Sequence, residues 1–244
     1  MIYEAVPGRH YYGMPIGILK FGENTGASIP GCVGNATTFS FPVLPKPVEG
    51  LTFAAVCRKD KEALPRIIET AKWLEFQGVK AITANCGFFA FYQREVADAV
   101  QIPVFLSSLL QVRFLEMGLG GNGKIGILTA NSDALDRVFL AGVGISEHSP
   151  ILIRGLQDKP FFRSHVINEE PILDAGAVCL EVVEAAEELR SLNPNIKAFL
   201  LECSELPPYA HAIQEKLHRP VYDYTTMINY IFSGIARKPF DGLY

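Results

Sequence analysis

The 244-residue sequence lacks the residue pairings on which disulfide and metal chemistry depend. Its five cysteines, Cys32, Cys57, Cys86, Cys179 and Cys203, are odd in number, widely scattered and without a Cys-x-x-Cys pair. That excludes a disulfide framework or a structural zinc site and predicts free thiols in a reducing compartment. His10, His148, His165, His211 and His218 show no metal-ligand spacing, so each is read as a surface or packed residue and no metal is expected. An excess of basic charge is also missing. The net charge is −4 with no long run of one sign, which argues against a nucleic-acid partner and for a small-molecule one. No apolar run approaches membrane-spanning length, and the N-terminus has no basic segment followed by an apolar one. A cytoplasmic protein without membrane contact is expected; homo-oligomerisation is left open. Gly118, Gly120 and Gly123 satisfy Gly-x-Gly-x-x-Gly, but they precede an apolar run rather than open a helix. Ile125 stands where a phosphate loop needs Ser or Thr, so the glycines read as a turn and no nucleotide is expected.

What the sequence does contain is a repeat. Val79 to Phe105 and Ile196 to Tyr222 superpose without a gap, matching Lys80 with Lys197, Ala81 with Ala198, Cys86 with Cys203, Tyr92 with Tyr209, and Pro103-Val104 with Pro220-Val221. Each copy reads as an apolar strand, a cysteine at its carboxyl end, a helical stretch and a short second strand, which is a βαβ unit. Ile16-Gly17-Ile18-Leu19 likewise returns as Ile125-Gly126-Ile127-Leu128, so the repeat extends over most of each half. The prediction is an α/β protein of two pseudo-twofold related parallel-sheet halves, 1–118 and 119–244, with the active site in the cleft between them. A final helix near Tyr224 to Ala236 is expected to pack back across the first half.

Within this frame Leu51 to Cys57 reads as a strand, and helices are predicted over Lys61 to Phe76, after Cys86, over Ser108 to Met117, over Ala134 to Leu140 behind an Asn131-Ser132-Asp133 cap, and over Ile172 to Arg190. Phe21 to Gly50, rich in Gly, Pro, Asn and Thr, reads as a long connection of the kind that forms functional lids. The aromatic cluster Phe88, Phe89, Phe91 and Tyr92 has two readings, a wall for a bulky substrate or a helix face packed into the core.

In a parallel α/β sheet, ligands sit outside the carboxyl ends of the strands. Cys86 and Cys203 fall there, each at a strand-to-helix junction where the positive end of the helix favours thiolate. Cys57 and Cys179 read as core residues and Cys32 as loop filler. Two thiols from related halves suit removal of a proton from one face of a carbon and return of one to the other.

These residues resemble the cofactor-independent aspartate/glutamate racemase superfamily, which includes hydantoin racemases, maleate isomerases and arylmalonate decarboxylases. The likeness covers nearly the whole chain. It rests on the duplicated Ile-Gly-Ile-Leu strands, on Thr83-Ala84-Asn85-Cys86-Gly87, and on Glu202-Cys203-Ser204-Glu205-Leu206-Pro207, which is similar to the Cys-Thr-Glu or Cys-Thr-His signature of those enzymes. The resemblance implies a racemase or epimerase, an isomerase needing no pyridoxal phosphate or other cofactor, acting on a small carboxylate-bearing substrate such as an amino acid. Cys86 and Cys203 would be the acid/base pair and Glu205 the assistant of the second cysteine. Thr129, Asn131 and Ser132, with Asn85, Gly87 and Ser204, would hold the substrate. The alternatives are a maleate-isomerase-like or arylmalonate-decarboxylase-like enzyme, or a non-catalytic binding protein with this fold.

Overall fold

Two sheets, built in the same order from the two halves of the repeat, organise the chain. In the computed structural model, which describes residues 2–22, 26–240 and 242, the first sheet contains β1 (Ile16–Phe21), β2 (Val43–Val48), β3 (Ala81–Ala84) and β4 (Val104–Phe105). The second contains β5 (Lys124–Thr129), β6 (Ile151–Gly155), β7 (Ile196–Leu201) and β8 (Val221–Tyr222). The orders are β2-β1-β3-β4 and β6-β5-β7-β8, and every pairing is parallel. The gapless repeat therefore marks equivalent strands: Val104 and Phe105 fall on Val221 and Tyr222, and β3 falls on β7. β3, and β7 beyond its exposed Lys197, are buried on two faces, as helices on either side of a parallel sheet require.

The first half adds α1 (Phe53–Cys57), α2 (Leu64–Phe76), α3 (Gln93–Ala99) and α4 (Val112–Gly118). The second adds α5 (Arg137–Gly142), α6 (Pro160–Phe162), α7 (Ala175–Leu192), α8 (Ala210–Leu217) and α9 (Tyr224–Ile235). In α2, Ile67, Ala71 and Leu74 recur at helical spacing and are buried; Val178, Val182, Ala185 and Leu189 do the same in α7. Both helices approach the central strand of their sheet at its glycine. A Cβ on Gly17 would stand 3.1 Å from Leu74, and one on Gly126 2.9 Å from Phe199 and 3.1 Å from Leu189. The repeated Gly in Ile-Gly-Ile-Leu is thus a packing requirement in both halves.

The halves share core. Phe139 of α5 packs on Phe88 with ring centroids 4.9 Å apart, and Ile125 and Ile127 of β5 belong to the same buried cluster as Leu19 and Ile82. From the far end of the chain, Tyr224, Met227, Ile228 and Ile231 of α9 pack on Ile16, Ile18 and Ala81 of the first sheet.

Several local expectations are corrected. Residues 51–57 are not a strand: Thr52 caps α1, its hydroxyl accepting from the Ala55 amide at 3.2 Å. The long connection from Phe21 to Gly50 contains β2, whose prolines Pro45 and Pro47 concealed it. Proline is tolerated there because β2 is an edge strand and needs its ladder on one side only. Residues 23–25 of that expected lid lie outside the described residues. The stretch after Cys86 begins as a 3-10 turn, Gly87–Tyr92, before α3. Its three-residue period sets Phe89 and Tyr92 on one buried side. The helix expected at Ala134 starts at Arg137, capped by Asp136 rather than by Asn131 to Asp133.

Candidate active site

The carboxyl ends of β3 and β7 meet across a cavity lined by Asn85, Cys86, Gly87 and Phe88 from one half and by Glu202, Cys203, Ser204 and Glu205 from the other; Phe21, Gly26, Ala27, Phe53, Ala130, His165, Val166 and Glu169 form the rest of its wall. Reciprocal hydrogen bonds hold the two strand ends together. Ser204 donates its hydroxyl to the carbonyl of Asn85, and Ser108 donates to the carbonyl of Leu201 at 2.9 Å. A loop from the first half crosses to the second, where the Val33 amide donates to the Ser204 carbonyl at 3.2 Å.

Each thiol is buried and receives the backbone N–H of the residue two positions on, Phe88 for Cys86 and Glu205 for Cys203. These bonds favour the thiolate, as the position at a turn's start predicts. They are outweighed. Burial, and next the Glu202 carboxyl, push both thiols well above their ordinary range, with Glu205 adding to the effect on Cys203. The expected lowering by a helix dipole is therefore corrected: the chain leaves Cys86 through a short 3-10 segment and Cys203 through a turn that reaches its 3-10 segment only at Pro207, neither being a long helix, and the surroundings are apolar and acidic.

Glu202 is 1 % exposed and burial lifts its carboxyl to about 7, an effect the Thr129 hydroxyl partly offsets by donating to Oε2 at 2.8 Å. Its Oε1 has no partner, nor has Oδ1 of Asn85, among the described residues. The carboxyl sits directly over Gly87, where a Cβ would come within 1.8 Å of Oε1. No side chain fits at 87 beside Glu202.

Glu205 is partly buried, and burial raises its carboxyl. The Cys32 thiol, bonded to it, and then the charges of His165 and Lys20 act in the opposite sense. Cys32 is thus a neighbour of the site rather than loop filler. His165 places both ring nitrogens near carbonyl oxygens, Nε2 at 2.9 Å from Ala27 and Nδ1 at 3.0 Å from Glu170, so it straps the segment after β1 over the cavity.

The remaining residues expected to hold substrate are engaged elsewhere. Thr129 is buried beneath Glu202, Asn131 accepts from the amides of Asp133 and Ala134, and Ser132 accepts from the Gln157 amide at 2.9 Å. None of the three lines the cavity, whereas Asn85, Gly87 and Ser204 do. Glu202, His165 and Phe53 were not read as site residues from the sequence; of the aromatic cluster given two readings, Phe88 lines the cavity while Phe89 and Tyr92 pack into the core. The signal for Glu202 was present, since it precedes Cys203 as Asn85 precedes Cys86. For His165 no spacing marked it, because a segment far in sequence from either cysteine delivers it.

Comparison with solved structures agrees with this architecture. Arylmalonate decarboxylase superposes with a TM-score of 0.61 at 16% identity, over 93% of this chain and 96% of its own. Allantoin racemase from Pseudomonas fluorescens gives 0.59 at 16%, over 91% and 90%. Glutamate racemase from Bacillus anthracis gives 0.55 at 12%, over 91% and 83%. The chain shares its fold with these enzymes, the fold that the sequence resemblance implied. No family model matches it.

Sequence relatives define the family more narrowly. A protein of Durusdinium sp. clade D named dimethylsulfoniopropionate lyase is 35% identical over 225 residues, 88% of this chain and 73% of that relative. Dimethylsulfoniopropionate lyase 7 of Emiliania huxleyi is 32% identical over 86% of this chain and 64% of its own length. The chain belongs to the dimethylsulfoniopropionate lyase family, and it spans about two thirds to three quarters of these two relatives. The expectation of a racemase, and of an isomerase generally, is overturned by these relatives, which carry the name of lyases. The cause of the error is physical: the sequence motifs mark a scaffold, and a scaffold does not by itself fix the reaction carried out on it.

Among the described residues no helix is long and apolar enough to cross a membrane.

Proposed function

We propose that this protein cleaves dimethylsulfoniopropionate by elimination, using Cys203 as the base. The observation that carries this reading is the 35% identity, over most of the chain, to a relative of that name. The substrate is a propionate with a sulfonium group on its far carbon. Removing a proton from the carbon beside the carboxylate lets that electron pair form the C=C bond while the C–S bond breaks toward sulfur. Neutral dimethyl sulfide leaves, and acrylate remains. One base suffices. Two acid/base groups on opposite faces, the requirement of racemisation, are not needed.

The asymmetry of the cavity supports this assignment. Glu205 stands beside Cys203, and at the matching place beside Cys86 stands Phe88. Cys203 takes the proton, and the neighbouring carboxyl of Glu205 passes it on to solvent. Glu202 and Glu205 give the cavity acidic walls suited to a cation, and Phe21, Phe53 and Phe88 offer ring faces of the kind that attract one. Asn85, Gly87 and Ser204 border the space left for the carboxylate, and the halves 1–118 and 119–244 each contribute one side.

The purified protein, given dimethylsulfoniopropionate, is expected to release dimethyl sulfide into the headspace and acrylate into solution in equal amounts, read by gas chromatography and proton NMR. Folded protein that yields neither product overturns the reading.

A further inference from the structure

Glu202 is a buried carboxyl that takes no part in the proton transfer of the elimination. Its surroundings are built rather than incidental. Thr129 holds Oε2 at 2.8 Å, Gly87 leaves the space that any Cβ would fill to within 1.8 Å of Oε1, and Oε1, at 1 % residue exposure, is unpartnered among the described residues. It adjoins Cys203 in the chain and touches the residue after Cys86. An unpartnered buried acceptor of this kind is rarely retained without a role.

We propose that Glu202 is a positioning residue for the thiol pair, deciding whether the negative charge of the empty site resides on a carboxylate or on a thiolate. The titratable groups facing it are Cys57 on α1, Cys86, Cys203 and Tyr224 on α9, and the charge of Glu202 raises each of them; Glu205 and Cys32 act further on Cys203. When Glu202 is ionised, a second negative charge on sulfur in the same dry space is opposed, and the thiols stay protonated. A sulfonium cation entering the cavity cancels that opposition. The base is then armed by the arrival of a positively charged substrate, a consequence that rests on the elimination reading, whereas the control of the thiols by Glu202 does not.

The test uses the unliganded protein and iodoacetamide, with alkylation of Cys86 and Cys203 followed by peptide mass spectrometry from pH 5.5 to 9. Cys179, which does not line the cavity, is the internal reference. In the wild type the rise of alkylation rate with pH at both thiols should flatten near pH 7, where Glu202 ionises. Glu202→Gln removes the charge and keeps an acceptor for Thr129. The flattening should vanish, and at pH 8.5 both thiols should react about tenfold faster than in the wild type, the ratio that one pKa unit makes. Thr129→Val removes the hydroxyl that stabilises the anion and should move the flattening to higher pH. If Glu202→Gln fails to fold, Thr129→Val decides alone. Profiles at Cys86 and Cys203 that match the wild type in the folded variants overturn the proposal. Because alkylation needs no turnover, this outcome is independent of whether dimethyl sulfide is released.

Discussion

At equivalent places in the repeat, the first half carries Asn85, Cys86, Gly87 and Phe88, and the second carries Glu202, Cys203, Ser204 and Glu205. The backbones match, with each sulfur receiving the amide two residues on. The side chains do not. The first half supplies an amide, a bare backbone and an aromatic ring; the second supplies two carboxyls and a hydroxyl. A duplicated scaffold has thus been divided into a neutral side and an acidic side. Under the proposed elimination, that division is what would separate a site with one working base from a site with two, and it is visible only when the halves are laid on each other.

The comparison breaks first at the thiols. Cys203→Ser should lower kcat for dimethyl sulfide release by roughly a thousandfold, the scale on which a positioned base acts. Cys86→Ser should retain more of the rate by at least an order of magnitude. Equal losses in steady-state kinetics of the two variants would restore a symmetric two-thiol mechanism.

Glu202 sharpens the contrast through stability. Its carboxyl rises from an ordinary 4.5 to about 7 in the folded protein. A raised acid contributes stability that is fully present below its unfolded value and is lost as pH climbs through the folded one. The wild type should therefore lose up to about 3 kcal/mol between pH 4.5 and 7 relative to Glu202→Gln, at roughly 1.4 kcal/mol per pH unit. Urea unfolding of both proteins at pH 5 and pH 8 measures it; parallel pH dependence would show that Glu202 is not buried as described.

Gly87→Ala addresses the contact between the halves. The added methyl cannot coexist with Oε1 at 1.8 Å, so the carboxyl must leave its place over the glycine. A destabilisation of about 2 kcal/mol is expected from such overpacking. The double variant with Glu202→Ala, which opens the space, should recover part of it. Additive losses in a double-mutant cycle would deny the contact.

The smallest effect concerns the reciprocal hydroxyls. Ser204→Ala and Ser108→Ala each remove one hydrogen bond between the strand ends, and each should cost about 1 kcal/mol in chemical denaturation. A loss in only one of them would show that the two bonds are not equivalent.

Much of the fold was legible in the sequence because its determinants are local and duplicated. The strands around the two cysteines are apolar on both faces, as buried parallel strands must be, and the repeat doubled every such signal. Where tertiary context overrode local pattern, the reading failed. Pro45 and Pro47 looked like a loop because proline forfeits a donor, and only a position at the sheet edge makes that loss harmless. Residues 51–57 looked like a strand because they form a compact apolar run, whereas the Thr52 cap commits them to a helix.

The sequence by itself determined the two-sheet α/β scaffold and the paired cysteines at the strand ends, because periodicity, chain order and repetition are written along the chain. It did not determine the chemistry. Cys32 reaching Glu205, His165 strapping Ala27, and Glu202 seated over Gly87 join residues that are far apart in sequence. The protonation of both thiols depends on burial among those groups, and burial and Coulomb interaction act through space, which only the tertiary structure specifies.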